Sequence, residues 1–587
     1  MRNVFFGLAT KYDDGIETSV AINGAGVVLE VHRSQAWSEL WHHVGAVSGE
    51  TIQWGGSVHY DDGINPSVAL NDRNVAVEVH ESQGNSGLWY HVGTVSNGSV
   101  SWGGAKHYDD GADPSVAVNN DGVVLEVHKS QSNNGLWCHV GKVNGTSINW
   151  GGSVKFASGQ APQVALNNHG VAVCVYPDGS ELWCRVGYIQ NGNSIRWGGS
   201  VKYDNGIQPT VAVTDDGLVI EVHRSDKSVG LWRRMGRISG DSIIWEAGPT
   251  QYDDGANPSV ACAGNMAIQT HKSEDLSTLW ASNSLLMDRA RWMTDRLSAL
   301  GSKTLKNLVL PASHDSGMYQ GGLQTVGKAQ DLSIYEQLDY GIRYFDLRPK
   351  WNGSAFNICH GIVTGPALTD ILNQVVQFMQ AGSKELVVLK FSHFENFGGG
   401  SAVYKKLTAQ ITGALGRWLV TKQQLADKRL AEATLSQLVQ NGGRVVVVCD
   451  GDMPVDYPAD GIWVYRDWDA EKPAQGDLRV YDVYSNTISY DTMKSNQFAK
   501  FNAYTGICKN KQDGKEVPCD MFLLSWTLTP PTDVWNFSTQ ANRNLADALR
   551  ELRVPNAHGQ IVNVLYVDYV EYARVTDVTV FQNGLQG

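Results

Sequence analysis

His314 and His360 are the residues of this chain best suited to moving protons. His314 sits in Leu310-Pro-Ala-Ser-His-Asp-Ser-Gly317, His360 in Asn357-Ile-Cys-His-Gly361, and Tyr344-Phe-Asp-Leu-Arg-Pro349 lies between them. Each group follows a short apolar run that reads as a strand. One imidazole can take a proton from an attacking hydroxyl, the other can give one to a leaving oxygen, and the Arg348 guanidinium can hold phosphate charge. Two histidines and an arginine at strand ends suit the cleavage of a phosphodiester.

The elements that must position them alternate. Strands are predicted at 307–314, 341–348, 356–359, 386–393, 444–449, 478–484, 521–526 and 561–568, and helices at 367–381, 402–415, 423–440 and 540–552. Strands joined by helical crossovers argue for a (β/α)8-type, TIM-like barrel over 304–587, preceded by a connecting helix within 283–303. Such barrels place their chemistry where strands end. His314, Asp315, Arg348, His360, Lys390, Asp482, Tyr484, Trp526 and Asp568 all fall there.

Residues 1–282 instead repeat with a period of about 48 residues. A Tyr-Asp-Asp-Gly element or variant begins at Tyr12, Tyr60, Tyr108, Phe156, Tyr203 and Tyr252. Pro-Ser-Val-Ala, Glu-Val-His and Leu-Trp elements or variants follow in each unit, the fourth departing with Cys174-Val-Tyr176 and the sixth with Gln269-Thr-His271; Trp-Gly-Gly closes the first four and is weakened to Trp245-Glu-Ala-Gly in the fifth. Four strand signals per unit, six times over, predict an all-β propeller of six blades. Val4-Phe-Phe-Gly7 is expected to supply the outer strand of the last blade and so close the ring. The recurring Glu-x-His pairs read as polar struts between blades, because Glu-x-His alone offers few metal ligands.

With 47 Lys+Arg against 60 Asp+Glu, the net charge of −13 argues against general nucleic-acid binding. No run of eighteen apolar residues spans a bilayer, and the start is too short in apolar residues for a secretory signal. Of the eight cysteines, Cys508 with Cys519 and Cys174 with Cys184 are candidate pairs.

The repeat string resembles β-propeller lectins of bacteria and fungi, including fucose-binding ones, which implies glycans as partners. Those lectins carry seven blades, against six here. Residues 291–572 resemble the X domain of phosphatidylinositol-specific phospholipase C in its bacterial, metal-independent form. The resemblance rests on the His314 segment, Gly341-Ile-Arg-Tyr-Phe-Asp-Leu-Arg348 and Cys359-His-Gly361. It implies His314 as general base on the inositol 2-hydroxyl with Asp568 as its partner, and His360 as general acid with Asp315. It also implies Arg348 on the phosphate, and Lys390, Asp482 and Tyr484 on the inositol ring. Ser392 stands where the family places an acidic neighbour of the lysine, and Val448-Cys-Asp450 where it places an arginine after the fifth strand. No cofactor and no metal are expected, because Arg348 occupies the position of a cation. The substrate implied is phosphatidylinositol or its glycosylated anchor form, met peripherally at a membrane surface by a secreted or cell-surface-acting protein. The alternatives are a carbohydrate-binding protein with a degenerate barrel, or a phosphodiesterase for another head group.

Overall fold

The computed structural model describes residues 2–6, 9–48, 51–246, 248–320, 327–398, 400–426, 428–450, 461–467, 476–509, 513–530 and 532–584, without the side chains of 546 and 547. The chain divides into two compact units, Asn3–Met287 and Asp288–Leu585.

The first unit is built of six antiparallel sheets. The first runs Ile16–Ile22, Val27–Arg33, Glu39–Ser48, Thr51–Trp54, and Val58–Asp62 also pairs with Glu39–Ser48. Each of the first five sheets is thus finished by the Tyr-Asp-Asp-Gly strand, or its variant, of the following repeat. The sixth, Ala256–Ala263, Met266–Lys272 and Thr278–Leu285, is finished by Thr10–Asp14 from the start of the chain. The start of the chain also lies along the outer part of that sheet: Asn3 forms an isolated bridge with Met287, the Phe5 N–H donates to Ser284 at 2.7 Å, and the Phe6 ring sits 5.4 Å from Tyr252. Residues 4–6 thus take the place that the Trp-Gly-Gly strand holds in the other sheets, while Gly7 lies outside the described residues.

Innermost strands adjoin in chain order. Val68, Val116 and Val164 donate their N–H groups to Ser19, Ser67 and Ser115 of the preceding sheet at 3.1–3.2 Å. Asn167 donates to the Thr214 carbonyl, Asn257 to Gln208, and Val20 to Ser259, which joins the first sheet to the last. Strand alternation sends Leu29 and Val31 to one neighbour, where they pack with Val68 and Ala76. Glu30 and His32 point the other way and are buried. Gly63 is required by this packing, since a Cβ there would meet the His80 ring at 2.6 Å.

The second unit contains a closed barrel of eight parallel strands: Leu310–Ser313, Tyr344–Leu347, Leu386–Phe391, Arg444–Asp450, Ile462–Asp467, Leu478–Asp482, Met521–Trp526 and Val564–Val567. Outward residues such as Phe345, Leu389 and Val447 meet the helical layer, where Ile371, Leu372, Val375 and Phe378 of the helix Leu368–Gln380 are buried at helical spacing.

Two expectations about the barrel are corrected. Phe356–His360 is the middle strand of an antiparallel sheet with Pro349–Trp351 and Val363–Ala367. It follows the second barrel strand too closely for a helical crossover, so it cannot be parallel to it. Ile462–Asp467 is the fifth barrel strand; Trp463, Tyr465, Arg466 and Asp467 interrupt its apolar run. The strand with Val448–Asp450 is thus the fourth, so the arginine sought after it was sought after the wrong strand.

The connector is not one helix. Strand Thr278–Leu285 extends into it, and three short turns follow, Arg289–Arg291, Trp292–Asp295 and Leu297–Leu300. Glu385 takes the Thr294 N–H at 2.8 Å and its hydroxyl at 2.6 Å, capping the break, and also pairs with the fully buried Arg343 at 2.7 Å. The predicted helix 423–440 is likewise reduced to short turns around the undescribed Asp427, and 540–552 splits between Val534–Arg543 and Leu545–Glu551.

Cys508 and Cys519 form a disulfide across the small sheet Ile507–Lys509/Glu516–Pro518. Cys174 and Cys184 are free. Register pairs Cys184 with Val175, so the two thiols face opposite sides of their sheet.

Candidate active site

Parallel strands all end on one side of the barrel, and a period of two decides which side chains point inward there. His314 follows the first strand. Asp346 and Arg348 share the inward face of the second, Lys390 lies on the third, Asp482 ends the sixth, and Tyr566 and Asp568 share the inward face of the eighth. His360 does not end a barrel strand; the antiparallel hairpin after the second strand returns it to the same place.

His314 is held from both sides. Its Nδ1 lies 2.8 Å from Asp568 Oδ1 and its Nε2 lies 2.9 Å from Arg348 Nη2. A carboxylate only accepts and a guanidinium only donates, so Nδ1 carries the proton and Nε2 the lone pair. Burial alone lowers the imidazole pKa, but Asp315 and Asp568 outweigh it and lift the value to about 9, with Arg348 opposing. The geometry and the charges describe one group: a base whose lone pair, held at rest by Arg348, has raised proton affinity.

Asp568 is itself fixed. Ser538 donates to its Oδ2 at 3.3 Å and Asn542 to its backbone carbonyl at 2.7 Å, both from the helix Val534–Arg543. Gln330 donates to the carbonyl of His314 at 2.8 Å.

Asp315 is 1% exposed and has a left-handed backbone, φ 42°. That turn aims its carboxylate at three cations or potential cations. Arg348 Nε lies 2.9 Å from Oδ1, and His314 Nε2 and His360 Nε2 lie 3.4 and 3.6 Å from Oδ2. These are ion-pair distances, and no hydrogen-bond alignment satisfies either oxygen. Arg348 also meets Asp346 at 3.0 Å, and Tyr566 donates to Asp346 at 2.6 Å. Burial would raise the Asp346 pKa, but Arg348 and Lys390 hold it far below the carboxylate range.

His314, Asp315 and Asp346 bring potential ligand atoms within 4.8 Å of one another. The Arg348 guanidinium touches both carboxylates, so the positive charge a metal would bring to that place is supplied by the protein.

Lys390 donates to Asp482 at 2.7 Å, Tyr465 donates to the same oxygen at 2.9 Å, and the Lys390 ammonium sits 4.9 Å from the centre of the Tyr465 ring. Tyr484 is apart from this group: it lies in the loop after the sixth strand and is 57% exposed. Trp526 points away from the mouth, with its Nε1 donating to the Ala541 carbonyl. Sequence reasoning missed Asp346, Tyr566 and Tyr465. The first two stand two residues before Arg348 and Asp568, so strand periodicity marked them; Tyr465 was hidden with its strand. His393 was also passed over: a left-handed residue, φ 53°, it follows the third strand, with Nδ1 3.0 Å from Ser392 Oγ.

Residues 300–460 match the family model described as PI-PLC X. A PI-PLC X-box domain-containing protein of Dictyostelium discoideum is 28% identical over 233 residues, covering 37% of this chain and 30% of that protein. A 1-phosphatidylinositol phosphodiesterase of Listeria monocytogenes is 34% identical over 113 residues, covering 18% of this chain and 33% of that protein. The matches thus span about a third of each relative's length. Among solved structures, a phosphatidylinositol-specific phospholipase C of Staphylococcus aureus aligns at 17% identity and a TM-score of 0.37, over 50% of this chain and 97% of its own. The family model and the relatives support a PI-PLC X domain in the second unit.

Proposed function

We propose that this protein is a phosphodiesterase that cleaves phosphatidylinositol, or a glycosylated phosphatidylinositol, through a cyclic inositol phosphate. The observation that carries the reading is His314 held between Asp568 and Arg348, with Asp315 reaching His360 on the other side. His314 Nε2 takes the proton of the inositol 2-hydroxyl. The resulting oxygen attacks phosphorus, the bond to the diacylglycerol oxygen breaks, and His360 protonates that oxygen as it leaves. Arg348 turns from the lone pair of His314 to the phosphate and stabilises the charge that grows there. Asp568 keeps Nδ1 protonated, and Asp315 steadies the charged form of either histidine. Lys390 and Asp482 meet ring hydroxyls from the floor, and Tyr484 from the rim.

The contact of Arg348 with both Asp315 and Asp346 supports a reaction that needs no divalent cation. Phosphorus NMR of the products from phosphatidylinositol vesicles, with strong chelator present, tests substrate, mechanism and metal independence together. A cyclic phosphodiester signal is expected; its absence with active control enzyme refutes the reading. Ser392 beside Lys390, in place of a carboxylate, favours testing other inositol phospholipids in the same assay.

For the first unit we read the cyclic order of six sheets as a six-bladed propeller that binds glycans and brings the enzyme to glycosylated surfaces outside the cell. A cavity of about 260 Å³ lined by Trp41, Asp14, Gln35 and Glu39 supports this, since an indole face stacks on a sugar ring and carboxylates and amides hold its hydroxyls. Several weak sites would add by avidity. A glycan array with no bound sugar refutes the glycan part. Among the described residues no helix is long and apolar enough to cross a membrane, so contact with lipid is peripheral in this reading.

A further inference from the structure

The first three repeats each build a cluster that the sequence did not show, because its members come from two sheets. In the first, His32 and His43 stand opposite each other's strands, and Asp13 reaches them from the finishing strand of the sixth sheet. Asp61 with His80 and His91, and Asp109 with His128 and His139, repeat the arrangement. In each cluster one potential ligand atom per residue lies within 4.8 Å of the others.

The outward nitrogens are committed. His32 Nδ1 lies 3.0 Å from the Glu30 carboxylate, and His43 Nδ1 lies 2.9 Å from the Gly55 carbonyl. Neither partner can donate, so both Nδ1 atoms are protonated and both Nε2 atoms are turned to Asp13; a carboxylate only accepts, so His43 Nε2 also carries a proton here, which an entering metal ion would displace. His43 Nε2 is 2.6 Å from Asp13 Oδ2, while His32 Nε2 is 3.7 Å from it, beyond hydrogen-bond length. The corresponding pairs are 2.6 and 3.9 Å in the second repeat and 2.7 and 3.8 Å in the third. Imidazoles whose far nitrogen is fixed by a carboxylate or a carbonyl, and whose near nitrogens converge with a carboxylate, have the outer-shell arrangement that orients metal ligands. The cavity beside Trp41 is lined by Asp13 and His32, so solvent and ions reach the first cluster.

The other repeats supply an internal comparison. Strand register places Arg234 in the fifth repeat and Ser282 in the sixth where the first has His43. Arg234 donates to Asp204 at 2.7 Å and fills the place with its own charge. The fourth has Arg185 there and Ala157 in place of the aspartate.

We propose that the Asp-His-His clusters of the first three repeats are divalent transition-metal sites of the zinc class, three among the described residues, each with two imidazoles and one carboxylate as protein ligands. Two nitrogens and one oxygen fit zinc better than calcium or magnesium, which take oxygen ligands, and a water would complete four-coordination. The sites are independent of the barrel reaction, so their failure would leave that reading untouched.

The test counts metal on the full chain. Protein stripped with chelator is dialysed against buffered Zn²⁺ and analysed for zinc, and Co²⁺ is added separately to record the visible bands of four-coordinate cobalt. Three equivalents are expected. His43→Arg, His91→Arg and His139→Arg, which copy the fifth repeat, should each remove one, and the triple substitution all three. Circular dichroism checks that the variants are folded. A stoichiometry of zero in the parent protein overturns the proposal, as does zinc retained by the folded triple variant or cobalt without four-coordinate bands.

Discussion

Both units hold histidines against carboxylates, and exposure separates what the two arrangements do. In the repeats, the His80 side chain is 3% exposed and Glu78, which also accepts from Tyr60 at 2.9 Å, is fully buried. The Glu78 carboxylate is sealed between sheets, where an unpaired charge is costly and a paired one locks its neighbours in place. In the barrel, the His314 and His360 side chains are 20% and 37% exposed, while their carboxylate partners Asp568 and Asp315 are buried. Only the imidazole edge reaches solvent, so proton traffic is open and the orienting charge is not. The same pairing fixes an imidazole between strands in one unit and leaves it open to solvent beyond the strand ends in the other.

Substitutions should widen that contrast. His314→Ala is expected to lower kcat on phosphatidylinositol by about 10⁴-fold, and His360→Ala by about 10²–10⁴-fold, with both variants folded by circular dichroism. A His314→Ala variant with near-parental kcat would place the base elsewhere. Arg348→Gln should cost about 10²–10³-fold in kcat, since it removes a fixed donor at the phosphate. In the repeats the effect should appear as stability instead. Glu78→Ala leaves Tyr60 and His80 without their acceptor and should destabilise the first unit by about 3 kcal/mol, read from urea unfolding followed by tryptophan fluorescence.

Asp568→Asn sharpens the comparison through pH. With His314 lifted to about 9, the base form accumulates as pH rises through that value, so kcat/KM should climb toward pH 9. Removing one of the two lifting carboxylates should move the ascending limb to lower pH. The sign for stability is opposite. A histidine raised above its ordinary pKa of about 6.5 stabilises the fold fully below that value and loses the contribution as pH rises through about 9. The thermal midpoint of the parent should therefore fall relative to Asp568→Asn between those limits. Tyr484→Phe, on the exposed rim, should give the smallest effect, a change in KM of about 2-fold or less with kcat retained.

Much of the barrel site was legible because its residues sit at fixed offsets from apolar strands. His314, Arg348 and Asp568 needed only the strand ends and a period of two. His360 was found for its chemistry, yet its strand was misplaced, because a four-residue apolar run does not show whether it pairs parallel or antiparallel. The strand Ile462–Asp467 escaped because aromatic and charged residues facing the barrel interior broke the hydrophobic signal. The junction clusters of the repeats escaped for another reason. Glu30 and His32 are neighbours in sequence, but Asp13 reaches them only when the first and last sheets meet.

That meeting also sets a timetable. Thr10 and its hydroxyl acceptor Ala281 are 271 residues apart, so at ribosomal speeds of roughly 5–20 residues per second the partner emerges roughly a quarter of a minute to a minute later. During that interval Thr10–Asp14 is an unsatisfied edge, open to pairing with any other strand it meets. Within the first unit the seam between first and last repeats is the last to have both of its strands synthesised, so domain exchange between nascent chains is expected to begin there.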